Sequence, residues 1–259
     1  MDKIHNRRNR PPLTILHTAD LHLNGKRGEP SEEHDETESG FRALKGIVAT
    51  ANHLAVDLVL VSGDLFDTCQ PEEEVVAFVL EQLSHLRPPV ILIPGNHDCL
   101  GDTGVYHMPV WNEVGDDNLK LITAHEGETF EAPGLPLIVW GRAMIEHSPD
   151  FKPLEGLPQR NGNTWQIAMA HGFFYANDEY MERSSPISAR QIRCSGWDYI
   201  ALGHNHAGGD VSQGPVKAAY SGSPVNFLNR KAQALLIVMD DQRDDPVSIK
   251  HIPIPSPEI

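Results

Sequence analysis

The sequence predicts an α/β fold of two packed β-sheets with helices outside, forming one domain over residues 13–255. Three observations predict it. Strand-length apolar runs alternate with helix-spaced apolar stripes as far as Ile93. Beyond residue 115 strand candidates follow one another, separated by Gly, Pro and Asp clusters. The 259 residues, 40% of them hydrophobic, suffice for one large core or two small ones.

Taken in order, residues 1–12 are polar and basic, end in Pro11-Pro12, and are expected to form a loose tail. Residues 13–16 are a short strand-forming run. Residues 25–40 hold six acids and read as a solvated loop. Phe41, Leu44, Ile47, Val48, Ala51 and Leu54 recur at helical spacing. The unbroken apolar run at 58–61 marks a buried strand. Pro71 is expected to open a second helix, with Glu72, Glu73 and Glu74 in its first turn where the helix dipole favours acids. Residues 90–93 are a further buried strand. Short strands are then predicted at 120–122, 137–140, 166–170, 199–202, 216–220, 234–239 and 247–252. Residues 149–163 read as a long surface loop, and 240–245 as an acidic hairpin connection.

Composition narrows the function. A formal charge of −15 speaks against binding nucleic acid through a broad basic face. It leaves open a nuclease whose site carries cations. No run approaches the roughly 18 apolar residues of a membrane span. Cys69, Cys99 and Cys194 are too few and too scattered for a disulfide framework or a zinc ribbon. With no leader-like apolar segment at the start, the chain is expected to be cytoplasmic, with its thiols reduced.

Five polar clusters each follow an apolar strand: Asp20-Leu21-His22, Gly63-Asp64-Leu65-Phe66-Asp67, Gly95-Asn96-His97-Asp98, His171-Gly172 and Gly203-His204-Asn205-His206. Sites in α/β sheets lie at the carboxyl ends of strands, so the five ends should converge. Asp, Asn and His donors without a thiolate suit manganese, iron, zinc or cobalt better than calcium. Asp20, His22, Asp64, Asn96, His171, His204 and His206 are more donors than one ion needs, so two divalent ions are expected. The other histidines, His147 among them, read as surface or core residues.

The ordered set D-x-H, G-D-x-x-D, G-N-H-D, a lone histidine after a strand, and G-H-x-H resembles the calcineurin-like metallophosphoesterase family. The resemblance implies a four-layer α/β/β/α sandwich with a dinuclear site at one edge. It implies that Asp20, His22 and His206 hold one metal, that Asn96, His171 and His204 hold the other, and that Asp64 bridges. His97 would contact the phosphate and protonate the leaving oxygen, with Asp98 orienting its imidazole. The expected chemistry is attack on phosphorus by a hydroxide shared between the ions.

Within the family the wording is most similar to SbcD-like DNA-repair exonucleases. The segment His17 to Leu23 and the segment Tyr220-Ser221-Gly222-Ser223-Pro224 both resemble theirs, and the latter makes Tyr220 a candidate substrate contact. Those enzymes usually continue into a capping domain and a segment that binds a coiled-coil ATPase, and with about 50 residues after His206 this sequence is expected to hold neither in full. The first expectation is therefore a phosphodiesterase with manganese in its site and a small diester or nucleic acid as substrate. An SbcD-like nuclease working with a partner, a phosphomonoesterase and a non-catalytic scaffold are the alternatives.

Overall fold

The first apolar runs of the chain become the centre of a six-stranded sheet. The structure is a computed structural model that describes residues 9–23, 36–112, 118–176, 183–225 and 231–255. Strand β1 (Leu13–Thr18) leads to α1 (Glu36–Leu54), β2 (Leu58–Ser62), α2 (Glu73–Ser84), β3 (Val90–Ile93) and β4 (Leu119–Leu121). These four strands pair in parallel in chain order. The chain then crosses to a second sheet through β5 (Glu128–Glu131), β6 (Leu137–Gly141) and β7 (Trp165–His171). A small parallel pair, β8 (Phe173–Tyr175) and β9 (Pro186–Ser188), precedes α3 (Ala189–Ser195). The second sheet is completed by β10 (Tyr199–Gly203), β11 (Gly209–Asp210) and β12 (Lys217–Tyr220). Finally β13 (Gln233–Met239) returns to lie antiparallel to β1, and β14 (Val247–Pro253) pairs antiparallel with β13. The orders are β14-β13-β1-β2-β3-β4 and β11-β12-β10-β7-β6-β5.

The two sheets stack face to face, and alternation along each strand sends side chains into two cores. Ile15, Leu58, Leu60 and Ile91 meet Ile167, Met169, Tyr199 and Ala201 between the sheets. Leu16, Val59, Val61 and Leu92 point the other way, under Leu44, Ile47, Val76 and Val79 of the helices. Both faces of β2 are thus buried, which is why its sequence is apolar without interruption. On the far side Ala168, Ala170, Ile200 and Leu202 are covered by Leu154, Ile187, Ile192 and Trp197. The architecture is the expected four-layer α/β/β/α sandwich, with a thin fourth layer. Seven-residue α3 and the 149–163 loop do the covering there.

Several elements differ from the sequence reading. Helix α1 begins at Glu36, inside the segment expected to be loop; residues 24–35 lie outside the described residues. An acidic first turn is favourable at a helix N-terminus, so the acids there are compatible with helix. Glu72 is the N-cap of α2, so Pro71 sits just before the helix rather than opening it. Arg10, within the expected loose tail, is buried. Its guanidinium pairs with both oxygens of Asp241, at 2.9 and 2.7 Å, and with both of Asp198, at 3.0 Å each. It also stacks 3.3 Å above the Trp165 ring, while the indole N–H donates to the Pro11 carbonyl at 2.7 Å. Residues 1–8 lie outside the described residues.

Candidate metal centre

The carboxyl ends of β1, β2 and β3 in one sheet, and of β7 and β10 in the other, open on the same edge of the sandwich. Backbone pairing continues past the strands into the loops. The Asp20 N–H donates to the Gly63 carbonyl at 3.1 Å, and the His22 N–H to the Asp64 carbonyl at 3.0 Å. The chain turns sharply at the polar residues themselves: φ is positive at Asp20 (59°), His22 (51°), Asp64 (52°) and His204 (103°). Asp and His tolerate this conformation better than branched residues, and such outliers gather at functional sites. Two glycines bring the sheets close enough. A Cβ on Gly63 would collide with the His171 ring, and one on Gly203 with the Ser62 carbonyl oxygen.

All seven predicted donors come together. His22 Nε2 lies 2.9 Å from His206 Nε2, and 3.7 Å from Asp64 Oδ2. His171 Nε2 is 3.3 Å from the same Asp64 oxygen. Asn96 Oδ1 lies 2.9 Å from His171 Nε2 and 2.8 Å from His204 Nδ1. The donor atoms of Asp20, His22 and His206 fall within 4.8 Å of one another, as do those of Asp20, Asp64 and His171. Asp64 therefore stands between two groups, one around His22 and one around His171. His22, Asp64 and His97 form a third group of the same size. The His97 side chain is 34% exposed, against 2% for Asp64 and 1% for His171, so it faces the solvent side of the cluster.

Residues 13–208 match the family described as calcineurin-like phosphoesterase. The chain belongs to that family. It is 28% identical over 211 residues to the uncharacterized metallophosphoesterase YhaO of Bacillus subtilis, covering 75% of this chain and 48% of the relative. It is 32% identical over 244 residues to one subunit of the nuclease SbcCD of Staphylococcus epidermidis, covering 83% and 62%. The chain thus spans about half to three fifths of the length of these curated relatives. The crystal structure of TT1561 of Thermus thermophilus superposes with a TM-score of 0.56 at 13% identity, over 95% of this chain and 100% of that one. This likeness concerns the fold.

The electrostatics of this calcineurin-like phosphoesterase site treat its two buried carboxylates differently. Burial, with Asp64 adding repulsion, pushes the Asp20 carboxyl up to about 7 against the pull of His171. Burial also opposes ionisation of Asp64, but His171 and His22 outweigh it and its pKa falls. His171 is raised to about 9: burial works against its charge, and Asp64 and Asp20 overcome that. His204 is held down to about 4 by burial and by the neighbouring His171. Divalent cations among these donors would supply positive charge beside the buried Asp20 and Asp64 carboxylates, so the donor set fits the metals of the family.

Two expected roles are corrected. Asp98 does not reach the His97 imidazole. Its carboxylate is fully buried and accepts from the backbone N–H groups of Gly95 at 2.7 Å, Leu65 at 2.8 Å and Phe66 at 3.1 Å, and from the Tyr106 hydroxyl at 2.5 Å. It fastens the Asp64 loop to the Asn96 loop. The imidazole is instead met by Asp67, whose Oδ1 is 2.9 Å from both His97 Nδ1 and His22 Nδ1. Tyr220 is buried rather than turned to substrate. Its hydroxyl donates to the Gly172 carbonyl and accepts from the Phe174 N–H, both at 2.7 Å.

Sequence reasoning also missed two groupings. Cys69 and Cys99 have their sulfurs 3.4 Å apart, behind an open depression of about 380 Å³ lined by Asp67, Thr68, Cys69, Gln70, Asn96 and His97. His147 packs beside His204, with ring centroids 5.6 Å apart. It follows no strand and sits in no motif, so nothing in the sequence marked it. His17, by contrast, hydrogen-bonds the Tyr199 hydroxyl at 2.8 Å in the inter-sheet core, away from the donors.

Proposed function

We propose that the protein is a metal-dependent phosphodiesterase that hydrolyses a phosphodiester by direct attack of water. The observation that carries this reading is the convergence of seven oxygen and nitrogen donors from five strand ends beside an open depression edged by His97. Asp20, His22 and His206 would hold one ion; Asn96, His171 and His204 would hold the other; Asp64 would serve both. When bound, two divalent ions lower the pKa of water and neutralise phosphate oxygens. A donor set of carboxylate, amide and imidazole suits manganese, iron, zinc or cobalt, and manganese is the proposed ion.

The chain's own residues do the rest. Asp67 accepts from the His97 Nδ1–H and fixes the ring, so that Nε2 of the doubly protonated imidazolium is free to donate to the phosphate or the leaving oxygen. Asp98 keeps the two loops that carry Asp64 and Asn96 in register. The depression beside His97 gives the leaving group somewhere to lie. A second reading, a nuclease, is favoured by the similarity to the SbcCD nuclease over most of this chain. The charge of −15 counts against a long duplex held by the protein surface alone. Among the described residues no helix is long and apolar enough to cross a membrane.

The test is metal analysis together with a substrate panel. About two transition-metal ions per chain are expected, with hydrolysis of bis-p-nitrophenyl phosphate in the presence of manganese. Aryl monoesters and single- and double-stranded DNA are assayed beside it. His97→Ala should slow the diester reaction by about a hundredfold or more. Absence of metal, or full activity in that variant, overturns the reading.

A further inference from the structure

The two halves of the site are flanked by different imidazoles. His97 stands beside His22, their ring centroids 4.6 Å apart, and His22 beside His206 at 4.7 Å. On the other half His171 stands beside His204 at 5.3 Å, and His147 beside His204 at 5.6 Å. His97 and His147 are therefore the outer members of the row, one at each half. His147 is solvent-exposed, whereas His171 is buried.

The ring of His147 is also held. Its Nδ1 lies 3.2 Å from Ser185 Oγ. Ser185 is wholly buried and has a positive φ of 53°, a conformation kept only where the surroundings enforce it. Those surroundings are visible. The Ser185 N–H donates to the Ser148 carbonyl at 2.8 Å, and its carbonyl accepts from the Phe173 N–H at 2.9 Å. The same carbonyl oxygen presses on Gly172, directly after His171, where a Cβ could not fit. The hydroxyl that meets His147 is thus fixed to the strand end that carries His171.

The serine hydroxyl has one proton and two neighbours: the imidazole nitrogen at 3.2 Å and the Met144 sulfur at 3.9 Å. The nitrogen is the nearer and the stronger acceptor. With the hydroxyl donating to Nδ1, the neutral ring carries its own proton on Nε2, and an exposed N–H beside the site is a donor for an anionic oxygen. We propose that His147 binds the substrate's phosphoryl group, donating a hydrogen bond from Nε2 on the half of the site formed by Asn96, His171 and His204. The proposal rests on the phosphoesterase reading given above. It makes the substrate contact two-sided, with His97 at one half and His147 at the other.

The experiment uses the full-length, metal-loaded protein and inorganic phosphate as probe. Phosphate affinity is measured by titration calorimetry for wild type, His147→Ala and His147→Gln, with metal content determined on the same samples. His147→Ala should bind phosphate about tenfold more weakly at unchanged metal content. KM for bis-p-nitrophenyl phosphate should rise by a similar factor, while kcat changes much less. Gln, whose amide nitrogen reaches a position close to that of Nε2, should recover part of the loss. Equal phosphate affinity in wild type and His147→Ala overturns the proposal. Loss of metal from His147→Ala overturns it too, since the residue would then be a ligand, as does failure of the loaded wild type to bind phosphate. If the wild type binds phosphate but hydrolyses no phosphoester, the phosphoesterase reading fails, and the calorimetric comparison still decides the role of His147.

Discussion

A single carboxylate, Asp98, gathers backbone donors from two loops and a tyrosine hydroxyl. Asp98→Asn puts an amide NH2 where one oxygen now accepts, so donors face donors. The expected cost is about 2–3 kcal/mol in stability and a fall of at least about tenfold in diester hydrolysis as the Asp64 and Asn96 loops lose register. Thermal unfolding and the aryl diester assay check this, and an unshifted Tm would count against it. His17 gives a pH prediction. Burial pulls its pKa down to about 3 from 6.5. The unfolded chain therefore takes up a proton below pH 6.5 that the native state refuses, and stability falls as pH drops from 6.5 towards 3. The contribution lost by pH 5 is about 2 kcal/mol. His17→Gln should show a shallower fall in Tm between pH 7 and pH 5 than wild type; parallel curves would refute it. The convergence of the seven candidate donors was legible because each stands at or just past the end of an apolar strand. The direction of a side chain is not written in spacing, which is why Asp98 and Tyr220 were given the wrong neighbours. His147 is brought in by the tertiary fold alone.

At the scale of elements, the approach of β2 to β10 is set by what is missing from Gly203. A methyl there would meet the Ser62 carbonyl oxygen and crowd His171 Nδ1 at 2.7 Å. Gly203→Ala should therefore push the two sheets apart at the edge that carries the site. A loss of about 1–3 kcal/mol is expected, with weaker metal retention, measured by unfolding and by metal content after dialysis. Wild-type values in both would mean the edge can relax. The long, doubly buried strands were readable because their apolar runs are unbroken. Short edge elements were not. Strand β5 is Glu-Thr-Phe-Glu, half of it charged, and it exists by pairing with β6. Helix α3 did carry a signal: Ser188 and Gln191 form a reciprocal capping box and Gly196 closes it with φ 68°. With only seven residues it shows too little apolar periodicity to stand out.

At the scale of the whole molecule, the site and the main buried ion cluster lie at opposite ends of the sandwich. Arg10 precedes β1, Asp198 precedes β10, and Asp241 follows β13, so one guanidinium ties both sheets together. Arg10→Ala should cost about 3 kcal/mol or more and lower the unfolding temperature, while kcat and KM well below that temperature stay as in wild type. Coupled loss of activity and stability at low temperature would show that the far end does shape the site. The two-sheet layout was legible from alternation followed by strand succession. The way the chain closes was not, because sequence order says nothing of which strand meets which. That closure has a consequence for synthesis. β1 emerges well before one of its two partners, β13, which lies far along the chain, with Leu13 opposite Met239. On the ribosome the first sheet stays open beside β1 until β13 is out. Nascent β1 must therefore wait with an unpaired edge that a chaperone, or another nascent chain, is free to occupy.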